Sequence, residues 1–232
     1  MVKKRYLELD FIRGSAIILM VIFHFCFDLN YFGFIHIDIF EGMFWKVFRN
    51  ITIFLFIISV GISLYIVNER DFNRKKNFVR LGKLFLVSLL ITVVSYVIYP
   101  TTWIYFGIIH LIFVGSLIAL PFVKIPLFSL GMGVLILLAY MVFDLNMDWL
   151  FALSQNALSL PATTQDIAHL FPWLGVIFIG VYIGYKKWFD FDMREGYVSS
   201  KVSFLGQHAL VIYLVHQPVL RGVVGGINSY IS

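Results

Sequence analysis

The chain has 232 residues, 60% of them hydrophobic and only 13% charged, with a mean hydropathy of +0.90. That balance excludes an ordinary soluble domain and marks a multi-spanning membrane protein. The net charge of +5 is explained by membrane orientation and contact with anionic lipid rather than by nucleic acid, and the one cysteine, Cys26, allows no intrachain disulfide.

Crossing the hydrocarbon takes about 20 apolar residues. Seven segments fit: 9–31, 46–67, 79–99, 103–121, 126–144, 170–187 and 203–224. The expected fold is all-α: a polytopic bundle of about seven transmembrane helices, forming one domain over 1–232. The first segment follows Lys3, Lys4 and Arg5 as a signal peptide would. It is too long for one, however, and it carries Asp10, Arg13, His24 and Asp28, so it reads as a retained helix. At 100° per residue Arg13 and His24 nearly eclipse, and Asp10 and Asp28 fall within roughly 60° of them. Ionisable groups are costly in a bilayer unless they face a bundle interior or a watery cavity. Asp10 and Arg13 alone could be an interfacial ion pair, but four such groups on one stripe indicate a polar site.

The connection 32–45 holds His36, Asp38 and Glu41. Arg74, Lys75, Lys76 and Arg80 precede or open the third segment, and His110 lies in the fourth. The connection 145–169 is polar, with Gln155, Gln165, Asp166 and His169. Ser199, Ser200 and Lys201 look like a turn before the last segment, which carries His208 near its start and His216 near its end. Pro172, Pro218, Gly175, Gly180 and Gly184 are expected to kink the last two segments or pack them closely.

The positive-inside rule orients the bundle. With the N-terminus cytoplasmic, inner connections hold Lys3, Lys4, Arg5, the cations from Arg70 to Lys83, Lys124, Lys186, Lys187, Arg194 and Lys201. Outer connections hold only Lys46, Arg49 and Arg221. The expectation is N-in, C-out. Trp45, Trp103, Trp149 and Trp173 then fall at outer boundaries, as an aromatic belt does. In this frame His24, His110 and His216 share a depth in the outer half, with Asp28 one turn above His24. Any one of these histidines could instead bond a neighbouring helix's carbonyl.

The run RYLELDFIRGSAIILMVIFH at 5–24 resembles the opening of the heparan-α-glucosaminide N-acetyltransferase catalytic-domain family. Arg13 and His24, ten residues between them, also resemble the Arg-x10-His signature of the membrane acyltransferase-3 family. YFGIIH at 105–110, FPWLG at 171–175 and LGQHALVIYLVHQP at 205–218 extend the likeness in order along the chain. The resemblance implies an integral cell-membrane enzyme that moves an acetyl or other acyl group from cytoplasmic acyl-CoA to an acceptor, often a sugar, on the far side. The chain is shorter than usual for the family, with fewer spans. The animal lysosomal members carry another residue where His24 stands and use a histidine of the first lumenal loop, which His36 could match.

This chemistry needs a base or nucleophile at a thioester carbonyl, and histidine titrates nearest neutrality. The expected reacting groups are His24, oriented by Asp28 at i+4, with His110 and His216 lining the same cavity and His36 as the rival. Arg13, with Asp10, and Arg74, Lys75, Lys76 and Arg80 are expected to hold the CoA phosphates. The expected partners are acyl-CoA, a glycan or other small acceptor, and lipid, with no nucleic acid and no metal. Two other readings stay open: a haem bundle using His24, His110 and His216, and a transporter with His24 and Asp28 as a proton relay.

Overall fold

A computed structural model describes residues 6–146, 148–158, 160–191, 193 and 196–231; Lys3, Lys4, Arg5 and Arg194 lie outside them. The described residues are helical: α1 Leu7–Tyr31, α2 Met43–Asn68, α3 Arg74–Ile98, α4 Ile108–Ala119, α5 Pro126–Phe143, α6 Asp148–Leu158, α7 Trp173–Lys186, α8 Tyr197–Gln207 and α9 Ala209–Ile231. Their extended pairing is one isolated bridge, Phe106 with Ile167. Helices α1, α2, α3, α5 and α9 are long and apolar enough to cross a membrane, and α4 and α7 are shorter apolar helices. The all-α membrane bundle is thus present, with a helix in each of the seven segments.

Three local expectations are corrected. The connection 145–169 contains α6. Residues 199–201 form no turn; they lie inside α8, whose start is set by Gly196, which donates its amide to Ser199 Oγ at 2.8 Å. The last segment is broken at His208 into α8 and α9. There the His208 ring takes the Phe204 carbonyl through Nδ1 at 2.9 Å, while the His208 amide turns to Leu205 O at 3.1 Å. A side chain has replaced the backbone donor that would continue the helix.

The chain forms two compact units, 1–56 with 189–232, and 57–188. In the first, α1 packs on α8 and α9. Gly14 and Gly206 make the α1–α8 crossing: a Cβ on Gly14 would fall on the Val202 carbonyl, and one on Gly206 on that of Asp10. Without a hydrophobic drive between helices in lipid, such close backbone approach is what holds them together. Replacing Gly206 with alanine should therefore cost at least about 1–3 kcal/mol by overpacking. Gly222→Ala, where no atom lies within 4 Å, should melt like the wild type. Thermal unfolding in detergent compares the two.

In the second unit α7 is central, with Val176, Ile177, Phe178 and Val181 buried. It meets α2 at Gly61 and Gly180 and α5 at Gly133 and Gly175. Helix directions follow the expected alternation. Thr92 meets His110 and Phe85 meets Phe113, so α3 and α4 are antiparallel. Ile58 meets Gly180 and Tyr65 meets Tyr185, so α2 and α7 are parallel. Asn68 and Asn77 exchange amide hydrogen bonds at 2.7 and 3.1 Å, tying the end of α2 to the start of α3. Asn73 caps α3 by accepting from the Lys76 amide at 2.9 Å.

Candidate active site

In the first unit α1 and α9 run parallel, because contacts rise together along both: His24 with His216, Asp28 with Gln217 and Arg221, Phe32 with Gly225. The His24 and His216 rings lie 4.8 Å apart between centroids at 60°. His216 is only 9% exposed. Its Nδ1 is 2.6 Å from the Tyr213 carbonyl. A carbonyl can only accept, so Nδ1 carries the proton and Nε2 is the bare, basic nitrogen. That Nε2 is buried with no hydrogen-bond partner among the described residues. His24 packs edge-on to Phe23 and His216, and no hydrogen bond from a described residue holds its nitrogens.

Asp28 is fully buried. It accepts from Gln217 Nε2 at 3.0 and 3.4 Å and pairs with Arg221 Nε at 3.4 Å. This corrects the expected Asp28–His24 bond. Positions i and i+4 share a face, but both side chains reach across to α9 rather than to each other, because a buried carboxylate needs a cation and Arg221 supplies it. Arg221 also lies over the Tyr31 ring at 5.4 Å. Asp28 therefore fixes the stretch of α9 that carries His216. Nearer the start of α1, Asp10, 3% exposed, pairs with Arg13 Nη1 at 3.2 Å.

His110 belongs to the second unit, and both its ring nitrogens are engaged. The Gly107 amide donates to Nδ1 at 3.2 Å, so Nε2 carries the proton and donates to Thr92 Oγ1 at 2.9 Å. Thr92 in turn donates to the Ile104 carbonyl at 3.0 Å. These bonds tie His110 to the entry of α4 in the second unit. Arg74, Lys75 and Lys76 are exposed in the first turn of α3, and Arg80 is half-buried one turn further on. The same end of the unit gathers Lys124, which donates to the Arg70 carbonyl at 3.1 Å, and Lys187, paired with Glu69 at 2.9 Å. Cations at a helix N-terminus oppose the helix dipole, so helix stability does not ask for them there. His36 is exposed in the connection between α1 and α2.

Of the residues singled out from sequence, the structure brings together His24 with His216, Asp10 with Arg13, and Arg74 with Lys75, Lys76 and Arg80. It adds Gln217 and Arg221. Both were within reach of the sequence: Asp28 demands a cation at its own depth, and Arg221, one turn beyond Gln217, sits near the outer end of the last segment.

Helices of spanning length, with the buried His216 packed against His24 between α1 and α9, are those of an integral membrane protein. The family model described as heparan-alpha-glucosaminide N-acetyltransferase, catalytic, matches residues 5–218, and the chain belongs to that acetyltransferase family. No curated protein and no solved structure matches it.

Proposed function

We propose that the protein transfers an acetyl group from cytoplasmic acetyl-CoA to a sugar hydroxyl or amine on the outer side of the membrane. The observation that carries this reading is the buried, unpartnered Nε2 of His216 against the His24 ring. A bare imidazole nitrogen of fixed tautomer is a general base for an acceptor O–H or N–H. As the acceptor attacks the thioester carbonyl, the C–S bond breaks and the new C–O or C–N bond forms. The proton passes to the imidazole and then to the CoA thiolate. Asp28, Gln217 and Arg221 act as positioning residues, holding α9 in register with α1. The touching imidazoles leave no gap for a macrocycle between them, which weighs against the haem reading for this pair.

For the donor's phosphates the basic first turn of α3 in the second unit, Arg74, Lys75 and Lys76 with Arg80, is one candidate set, and Arg13 with its partner Asp10 in the first unit is a separate one. Arg13 precedes His24 by eleven residues of α1, roughly 16 Å along the axis, too far to touch the reacting carbonyl that His24 serves. Exposed ion pairs contribute about 0.2–1 kcal/mol each. Replacing Arg74, Lys75 and Lys76 together with alanine should thus raise KM for acetyl-CoA roughly tenfold, leave kcat nearly unchanged and flatten the salt dependence of binding. An unchanged KM with a collapsed kcat contradicts the assignment.

A further inference from the structure

Helix α6 belongs to the second unit and sits at the end of α3 remote from its basic first turn. Phe151 packs on Tyr105 and Phe106, with ring centroids 6.4 and 5.6 Å away, in the residues that lead into α4. Trp103, just before them, packs on Tyr96 in the last turn of α3 at 5.8 Å. The polar groups on this side of α6 find their partners in protein. Gln155 donates to Tyr105 Oη at 3.2 Å and to the Pro161 carbonyl at 3.3 Å, and its own backbone carbonyl accepts from the Leu160 amide at 3.1 Å.

The other side of α6 is bare. Trp149, Leu153 and Ala157 recur every four residues and so form one stripe. Trp149 is 63% exposed and Leu153 59%, and Ala157 is exposed as well. We propose that this stripe lies in the lipid of the leaflet at that end, which makes α6 an interfacial helix rather than part of a connection in water. The proposal stands independently of the acetyltransferase reading.

Three observations favour lipid. The first is position. Helix α6 starts five residues after the end of α5, which is of spanning length. The last three residues of α5, Met141, Val142 and Phe143, are 78, 67 and 79% exposed, and the stripe continues that lipid-facing surface. The second is length. Eleven residues extend about 16 Å, roughly half the hydrocarbon thickness, so α6 is too short to cross and fits the headgroup boundary. The third is chemistry. No residue from Trp149 to Leu158 is charged. Tryptophan favours the headgroup level, and Leu153 gains by leaving water for acyl chains. Interfacial helices usually keep a charged face for water. Here that face is packed on the protein instead, through Phe151 and Gln155, so charges are not needed. A second copy of the chain fits less well, because three side chains fall far short of the roughly 20–30 residues a side of a stable interface.

The packed face of α6 supplies Phe151 and Gln155 to the lining of a cavity of about 390 Å³. Lipid therefore backs one wall of that cavity from outside.

Power-saturation EPR tests the proposal. Nitroxide labels are placed at Leu153→Cys and, separately, at Ala157→Cys in the full chain carrying Cys26→Ser, reconstituted in phosphatidylcholine–phosphatidylglycerol bilayers. Val142→Cys in α5 is the lipid reference, and Asp71→Cys in the exposed connection between α2 and α3 is the water reference. Thermal melting at the wild-type midpoint controls for folding, and two label positions cover the loss of either one. Both α6 labels should respond more to dissolved oxygen than to a water-soluble nickel chelate and group with Val142→Cys. Nickel accessibility equal to that of Asp71→Cys puts the stripe in water and overturns the proposal. Low accessibility to both reagents puts it against protein, a second copy included, and overturns it as well.

Discussion

Replacing His216 with alanine should cut acetyl transfer by about 10²–10⁴-fold, the usual cost of losing a general base, while yield and acetyl-CoA binding hold. Its claim rests on a fixed tautomer: Nδ1 is spent on the Tyr213 carbonyl, and Nε2 is buried and bare. His24→Ala should fall as far, because its ring packs on that of His216 and the two act together. The double variant should then be little worse than the worse single, as expected of groups that work as a unit. His36→Ala tests the exposed rival in the α1–α2 connection. If it is dead while His216→Ala turns over normally, the reacting centre lies in that connection. Steady-state kinetics with acetyl-CoA and the acceptor glycosides separates these results.

The second large effect concerns stability. Asp28 is fully buried against Arg221, whose side chain is 22% exposed. Removing one partner of a buried pair strands the other charge and costs about 3–5 kcal/mol. Arg221→Met should therefore lower the thermal midpoint sharply, towards the smaller end of that range because Arg221 keeps some exposure. The double variant Asp28→Leu with Arg221→Met removes both charges and should recover most of the loss. Recovery identifies the pair as a positioning device, since the folded double variant should still turn over poorly with α9 no longer held in register. A double variant as unstable as the single would show that the charges do not act as a pair.

The spans were legible because bilayer thickness imposes a length and an apolar composition that seven segments meet. Helix α6 was not, since its 11 residues fall well short of a span and sit in a polar connection. The break at His208 was hidden for a related reason: average hydropathy runs on through it, and only the His208 bond to the Phe204 carbonyl ends α8. Within the site, the stripe on α1 gave the face but not the partners. Spacing places Asp28 above His24, yet the choice between a neighbour on the same helix and a cation on another is made by the packing of α9. His110 shows the same limit. Depth places it in the outer half of its segment but does not give the bonds its two ring nitrogens make to Gly107 and Thr92 at the entry of α4. Arg221 passed as an orienting charge because a count of cations by side does not register burial.

Transfer through the α1–α9 site carries the acetyl group across the membrane in the proposed reaction. The direct measurement uses inverted membrane vesicles from cells producing the protein, with methyl glycosides and hexosamines trapped inside and radiolabelled acetyl-CoA added outside. Label should appear on the trapped sugar with the wild type and stay near background with His216→Ala. Label confined to sugar outside the vesicles, or equal label with His216→Ala, would contradict it.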